Sequence, residues 1–95
     1  MITIYEVKQI VRKLPSKNLS ISDDDLIKDI SCIMYRNDVY ECGNTTISSR
    51  HIDIEFSFGE YYEIHESTPV FQFICTLCNL SLSEKEQEFI IYQKQ

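Results

Sequence analysis

The chain has 95 residues, of which 43% are hydrophobic and 25% charged, with a formal net charge of −6. That length suits one domain with a single core, here expected to span residues 1–95, and the apolar fraction excludes a disordered acidic tail. No run approaches the ~18 apolar residues of a membrane helix, and the first residues lack the charged-then-apolar layout of a signal peptide, so a cytoplasmic protein without membrane contact is expected.

Residues 1–20 carry Lys8, Arg12, Lys13 and Lys17 against Glu6, a balance of +3, whereas the other 75 residues carry −9. Such a surface repels phosphate backbones and excludes direct nucleic-acid binding as an expectation. It would steer in a basic protein partner.

Thr3 with Glu6 fits a capping box, and Ile4, Val7, Ile10, Val11 and Leu14 follow at helical spacing until Pro15. Residues 16–20 read as a loop. Ser22 is placed to cap a second helix whose first turn holds Asp23, Asp24 and Asp25, with Ile21 and Leu26 spaced for a hydrophobic staple. Leu26, Ile27, Ile30, Ile33 and Met34 continue the helical stripe to Arg36, and Asn37-Asp38 marks the exit.

Gly43-Asn44 suits a two-residue hairpin turn between Val39–Cys42 and Thr45–Ser48, setting Tyr40 opposite Ile47. Ile47 is out of phase with Ile52, Ile54, Phe56 and Phe58, so a bulge, bend or short loop is expected over Ser48-Ser49-Arg50. The stretch from His51 to Glu66 alternates apolar and polar residues with period two, which puts core on one face and carboxylates on the other. A three-residue loop, Gly59–Tyr61, would pair Phe58 with Tyr62, Phe56 with Ile64 and Glu55 with His65, joining like faces. Thr68-Pro69 then reads as the start of a buried helix through Cys78, although the β-branched and aromatic content of this segment also suits a strand. Ser83 with Glu86 suggests a C-terminal helix, although EFIIYQ also suits a closing strand. The fold class expected is α+β: an antiparallel sheet of three to four strands with helices on one face.

Four cysteines, Cys32, Cys42, Cys75 and Cys78, are expected as reduced thiols. Cys75-x-x-Cys78 lies late in an apolar segment and lacks a second close pair, which fits packing better than zinc or redox chemistry. Asp23-Asp24-Asp25 diverge around a helix and suit capping rather than magnesium. Asn44-Thr45-Thr46 matches a glycosylation acceptor only as turn composition. His51 and His65 lie near Asp53 and Glu55, a pattern usual for cross-strand contacts, and neither a nucleophile elbow nor a phosphate loop accompanies them. No enzyme, metal or cofactor is therefore expected.

What stands out is the polar face: Asp53, Glu55, Glu63 and His65, bounded by Glu60 and Glu66, with Tyr61 at the turn. Such a face can be a solvated surface that charge keeps soluble, or a recognition surface on which carboxylates give long-range attraction and tyrosine gives close packing. The expected function is inhibition by direct contact with a basic protein. In size, acidity and lack of a catalytic set the chain is similar to bacterial immunity proteins that neutralise a cognate nuclease toxin, a likeness of character with no shared motif. The same physics serves a phage-encoded inhibitor of a host nuclease, and a non-inhibitory adaptor or oligomer subunit using the sheet edge is a further alternative.

Overall fold

The computed structural model describes residues 2–14, 22–79 and 88–95. Along them the chain forms α1 (Ile4–Arg12), α2 (Asp23–Asp29), β1 (Ile30–Cys42), β2 (Thr45–Phe56), β3 (Tyr61–His65), α3 (Pro69–Leu77) and β4 (Glu88–Gln93). The strands make one antiparallel sheet in the order β3-β2-β1-β4. The expected α+β class is therefore observed, with the helices packed on one sheet face.

The α1 stripe buries Val7, Ile10 and Val11, and Leu14 follows them, but Ile4 is left 46% exposed. Its capping box does not form: the Thr3 hydroxyl donates to Glu6 Oε1 at 3.1 Å, and neither side chain closes on an amide. Ser22 does cap α2, accepting the Asp25 N–H at 3.2 Å, and Asp23–Asp25 occupy the first turn as expected. Pro15, the loop over 16–20 and the Ile21 half of the staple lie outside the described residues.

The second helix does not reach Arg36. It stops at Asp29, and β1 starts at Ile30 with an extended ψ of 119°. Ile30 and Ile33 imitate a helical stripe because the ladder to β2 shifts between Ile30 and Cys32, and a bulge brings residues three apart onto one face. Beyond the bulge, buried Ile33, Tyr35 and Asn37 alternate with less buried Met34, Arg36 and Asp38, and β-branched and aromatic residues favour such a strand.

The Gly43-Asn44 turn is as expected, with Gly43 at φ +65° and Tyr40 opposite Ile47. No irregularity interrupts β2 at residues 48–50; the register runs unbroken from Cys42↔Thr45 to Cys32↔Glu55. The out-of-phase Ile47 is tolerated because β4 ends its pairing at Arg36 and β3 at His51. From Asp38 to Thr46 the hairpin is exposed on both faces, so no core enforces a phase there.

The second hairpin keeps the expected faces but not the expected register. Ile54 pairs with Tyr62, Ile52 with Ile64 and His51 with His65. The chain leaves the ladder at Phe56, whose N–H donates to the Glu60 carbonyl at 2.8 Å, while the Ser57 N–H donates to the Asp29 carbonyl at 2.7 Å. Phe58 stacks on half-buried Phe56 at 5.2 Å and remains exposed instead of entering the core. Even register shifts preserve faces, so like-face matching could not tell these two registers apart.

The helix predicted from Pro69 is observed as α3, with Thr68 Oγ1 accepting the Phe71 N–H at 3.3 Å. The C-terminal helix is not observed over the described residues; Glu88–Gln93 is strand β4, the alternative reading of EFIIYQ. Ser83 and Glu86 lie outside the described residues. β4 pairs with the edge of β1 left free by β2, and the Ile2 N–H donates to the Ile91 carbonyl on its far side at 3.1 Å. Ile33, Tyr35, Ile52, Ile54 and Ile64 meet Val7, Ile10, Ile27, Phe71 and Ile74 in the core, each buried aliphatic contributing about 1.5–3 kcal/mol.

Candidate functional site

The sheet face opposite the core is built from the alternate residues of the same strands. Arg36 stands opposite His51, Met34 opposite Asp53, and Cys32 opposite Glu55 on the β1 side. On the β3 side, His65, Glu63 and Tyr61 stand opposite the same three β2 residues. β4 adds Ile90 beside Met34 and Glu88 beside Arg36. Directly opposed side chains in a ladder sit about 5 Å apart, so residues of a central strand are walled in from both sides. His51 and Asp53 are consequently 5% and 6% exposed although they belong to the polar face.

The expected site residues thus divide into two groups. Glu60, Tyr61, Glu63, His65 and Glu66 are exposed, and Tyr61 keeps 64% of its surface in water. Asp53 and Glu55 are engaged within the chain: Arg36 Nε lies 3.3 Å from Asp53 Oδ2, and an Arg36 terminal nitrogen lies 3.6 Å from Glu55 Oε1. His65 is also occupied locally, its Nδ1 sitting 3.0 Å from Ser67 Oγ and accepting the Ser67 N–H. It faces His51 rather than Glu55.

Arg36, Asp38 and Glu88 were not expected on this face, because the first two were assigned to a helix and its exit and the third to another helix. The alternation from Ile33 to Asp38 carried the signal. Read with period two, it puts Met34, Arg36 and Asp38 on the strand face opposite Ile33 and Tyr35.

At the centre of the face Arg36, Asp38, His51, Asp53, Glu55, Tyr61 and Glu63 line an open cleft of about 290 Å³. His51 Nε2 lies 3.7 Å from Asp53 Oδ2 and 3.8 Å from Asp38 Oδ2. Ligand-capable atoms of His51, Asp53 and Glu63 all fall within 4.8 Å of one another. Among the described residues, buried His51 Nδ1 and Asp53 Oδ1 have no hydrogen-bond partner. Burial raises the Asp53 pKa; His51 and Arg36 pull it back, and Glu63 and Glu55 add to the rise. Among the described lining residues, four carboxylates face one guanidinium, an excess of negative charge.

Cys32, Cys75 and Cys78 fit a packing role, whereas Cys42 is exposed. None is in a disulfide, and burial raises the pKa of Cys32, Cys75 and Cys78, that of Cys78 to about 11. A redox nucleophile needs the opposite shift. Among the described residues no helix is long and apolar enough to cross a membrane. Compared with protein families, characterised proteins and solved structures, the chain matches none.

Proposed function

We propose that this protein is a small acidic inhibitor that acts by direct contact with a basic protein, most naturally as an immunity protein neutralising a nuclease toxin. The observation carrying this reading is exposed Tyr61, set beside Glu60 and Glu63 at the end of an acidic sheet face. A second apolar element flanks the same face, where half-exposed Tyr40 pairs with Ile47 next to Asp38. Aromatic anchors beside a one-signed field match what interfaces use for packing and for steering.

The internal Arg36 contacts move the binding role outward. Asp53 and Glu55 supply field and rigidity, while Glu60, Tyr61, Glu63 and Glu66 are accessible to a partner's lysines and arginines.

The test begins with tagged protein purified from its native host, from which co-purifying proteins are identified. The association is then remeasured with a Glu60→Lys, Tyr61→Ala, Glu66→Lys variant at low and high salt. A basic protein should be recovered, and the variant should bind it at least tenfold more weakly, a change of about 1.4 kcal/mol. Salt should weaken the wild-type complex steeply. A neutral or acidic partner, or undiminished association of the variant, overturns the reading.

A further inference from the structure

We propose that His51, Asp53 and Glu63 bind one divalent transition-metal ion in the cleft at the centre of the polar sheet face. This site does not depend on the partner-binding role and is tested without any partner.

Three observations converge. First, the donors are placed by the ladder rather than by loops. His51 and Asp53 are successive residues on one face of β2, and Glu63 stands directly opposite Asp53 on β3. Their ligand atoms already lie within 4.8 Å of one another, so small side-chain rotations bring them to one ion. Second, two of the donor side chains are buried, and Asp53 keeps one carboxylate oxygen unsatisfied among the described residues. The His51 and Asp53 side chains are only 7% and 9% exposed, and both line the cleft. Among the described residues Asp53 Oδ1 has no hydrogen-bond partner, a cost that a folded protein rarely leaves uncompensated, and His51 turns Nε2 toward the same carboxylate at 3.7 Å. Third, the charge is unbalanced. Among the described residues lining the cleft, Asp38, Asp53, Glu55 and Glu63 face one guanidinium, that of Arg36, a formal balance of −3 for these five.

The guanidinium fills this role poorly. Arg36 Nε is 3.3 Å from Asp53 Oδ2 but makes no aligned hydrogen bond. Its side chain is 37% exposed and already reaches Glu55, so it can remain there while an ion takes Asp53.

The donor set also selects the ion. One imidazole with two carboxylates suits zinc, cobalt or manganese, whereas magnesium and calcium prefer oxygen alone. Asp38, 3.8 Å from His51 Nε2, is within reach as a fourth ligand or as the group that orients the ring. The cleft is open, which leaves a coordination position for water or for a group from outside.

The experiment titrates the full chain with zinc chloride by calorimetry and follows the histidine ring nitrogens by NMR. One equivalent should bind, with the His51 resonances shifted. Glu63→Gln, at an exposed position that leaves the core untouched, should weaken zinc binding at least about tenfold, as should Asp53→Asn. Cys42→Ser removes the exposed thiol and should leave affinity unchanged. Magnesium should not compete. Absence of saturable binding, loss of binding in Cys42→Ser, or undiminished affinity in Glu63→Gln each overturns the proposal.

Discussion

Replacing Arg36 with Met probes how the polar face is held together. Arg36 Nε sits 3.3 Å from Asp53 Oδ2, which at an effective dielectric of about 20 corresponds to roughly 5 kcal/mol of gross attraction. The arginine keeps 37% of its side-chain surface in water, and the pair gives up hydration on the Asp53 side. Screening and desolvation therefore reduce the net value to about 1–2 kcal/mol. Methionine preserves the apolar stem beside Met34, so the loss reports charge rather than packing. The assay is chemical and thermal unfolding at neutral pH in the presence of a chelator. A deficit of that size in a domain of this length lowers Tm by about 4–16 °C.

The same measurement on Asp53→Asn and on the double variant isolates the pair. Most of the Arg36→Met deficit should disappear once residue 53 carries no charge. Acidification adds a sign. The folded-state pKa of Asp53 already lies above its ordinary 3.8, mainly through burial, and Arg36 is one of the groups holding it down. Without Arg36 it rises further, so an ionised Asp53 costs stability as pH climbs through the folded value and costs nothing below the unfolded value. The Arg36→Met deficit should therefore be full at neutral pH and fade as pH falls. A coupling below about 0.3 kcal/mol, or a deficit that grows on acidification, would refute the account.

Two further outcomes follow from the fold. Ile54→Ala, at a fully buried position paired with Ile33 and Tyr62, should cost about 2–5 kcal/mol in urea unfolding, whereas Phe58→Ala, at a residue 52% exposed, should change stability by less than about 0.5 kcal/mol. Equal costs would mean that the turn packs inward. In timed alkylation read by mass spectrometry, exposed Cys42 should react first. Cys78 should be slow, because a pKa raised from 9.0 to about 11 reduces the thiolate present at mildly alkaline pH by roughly two orders of magnitude. Rapid labelling of Cys78 in the folded protein would contradict its placement.

Local chemistry was legible along much of the chain. Ser22 and Thr68 cap their helices as their residue types require, Pro69 opens α3, and Gly43-Asn44 sets the turn that pairs Tyr40 with Ile47. The faces of β2 and β3 followed from alternation alone. Of the candidate surface residues, Glu60, Tyr61, Glu63, His65 and Glu66 are exposed, whereas Asp53 is buried and Glu55 half-buried.

Where a distant partner decides the outcome, the sequence was ambiguous. Ile30 and Ile33 have helical spacing, and only the ladder to β2, with its bulge, makes them strand. Glu88–Gln93 suits helix and strand alike until β1 offers it an unpaired edge. Where β2 ends, the Ser57 N–H donates to the carbonyl of Asp29, a residue far away in sequence. For the site the difference is sharper. The sequence determined that β2 and β3 would present carboxylates together, because side chains alternate at every residue of a strand. Only the tertiary structure placed Arg36 and Asp38 among them and enclosed His51 and Asp53, because burial on a sheet face is set by which strands lie on either side.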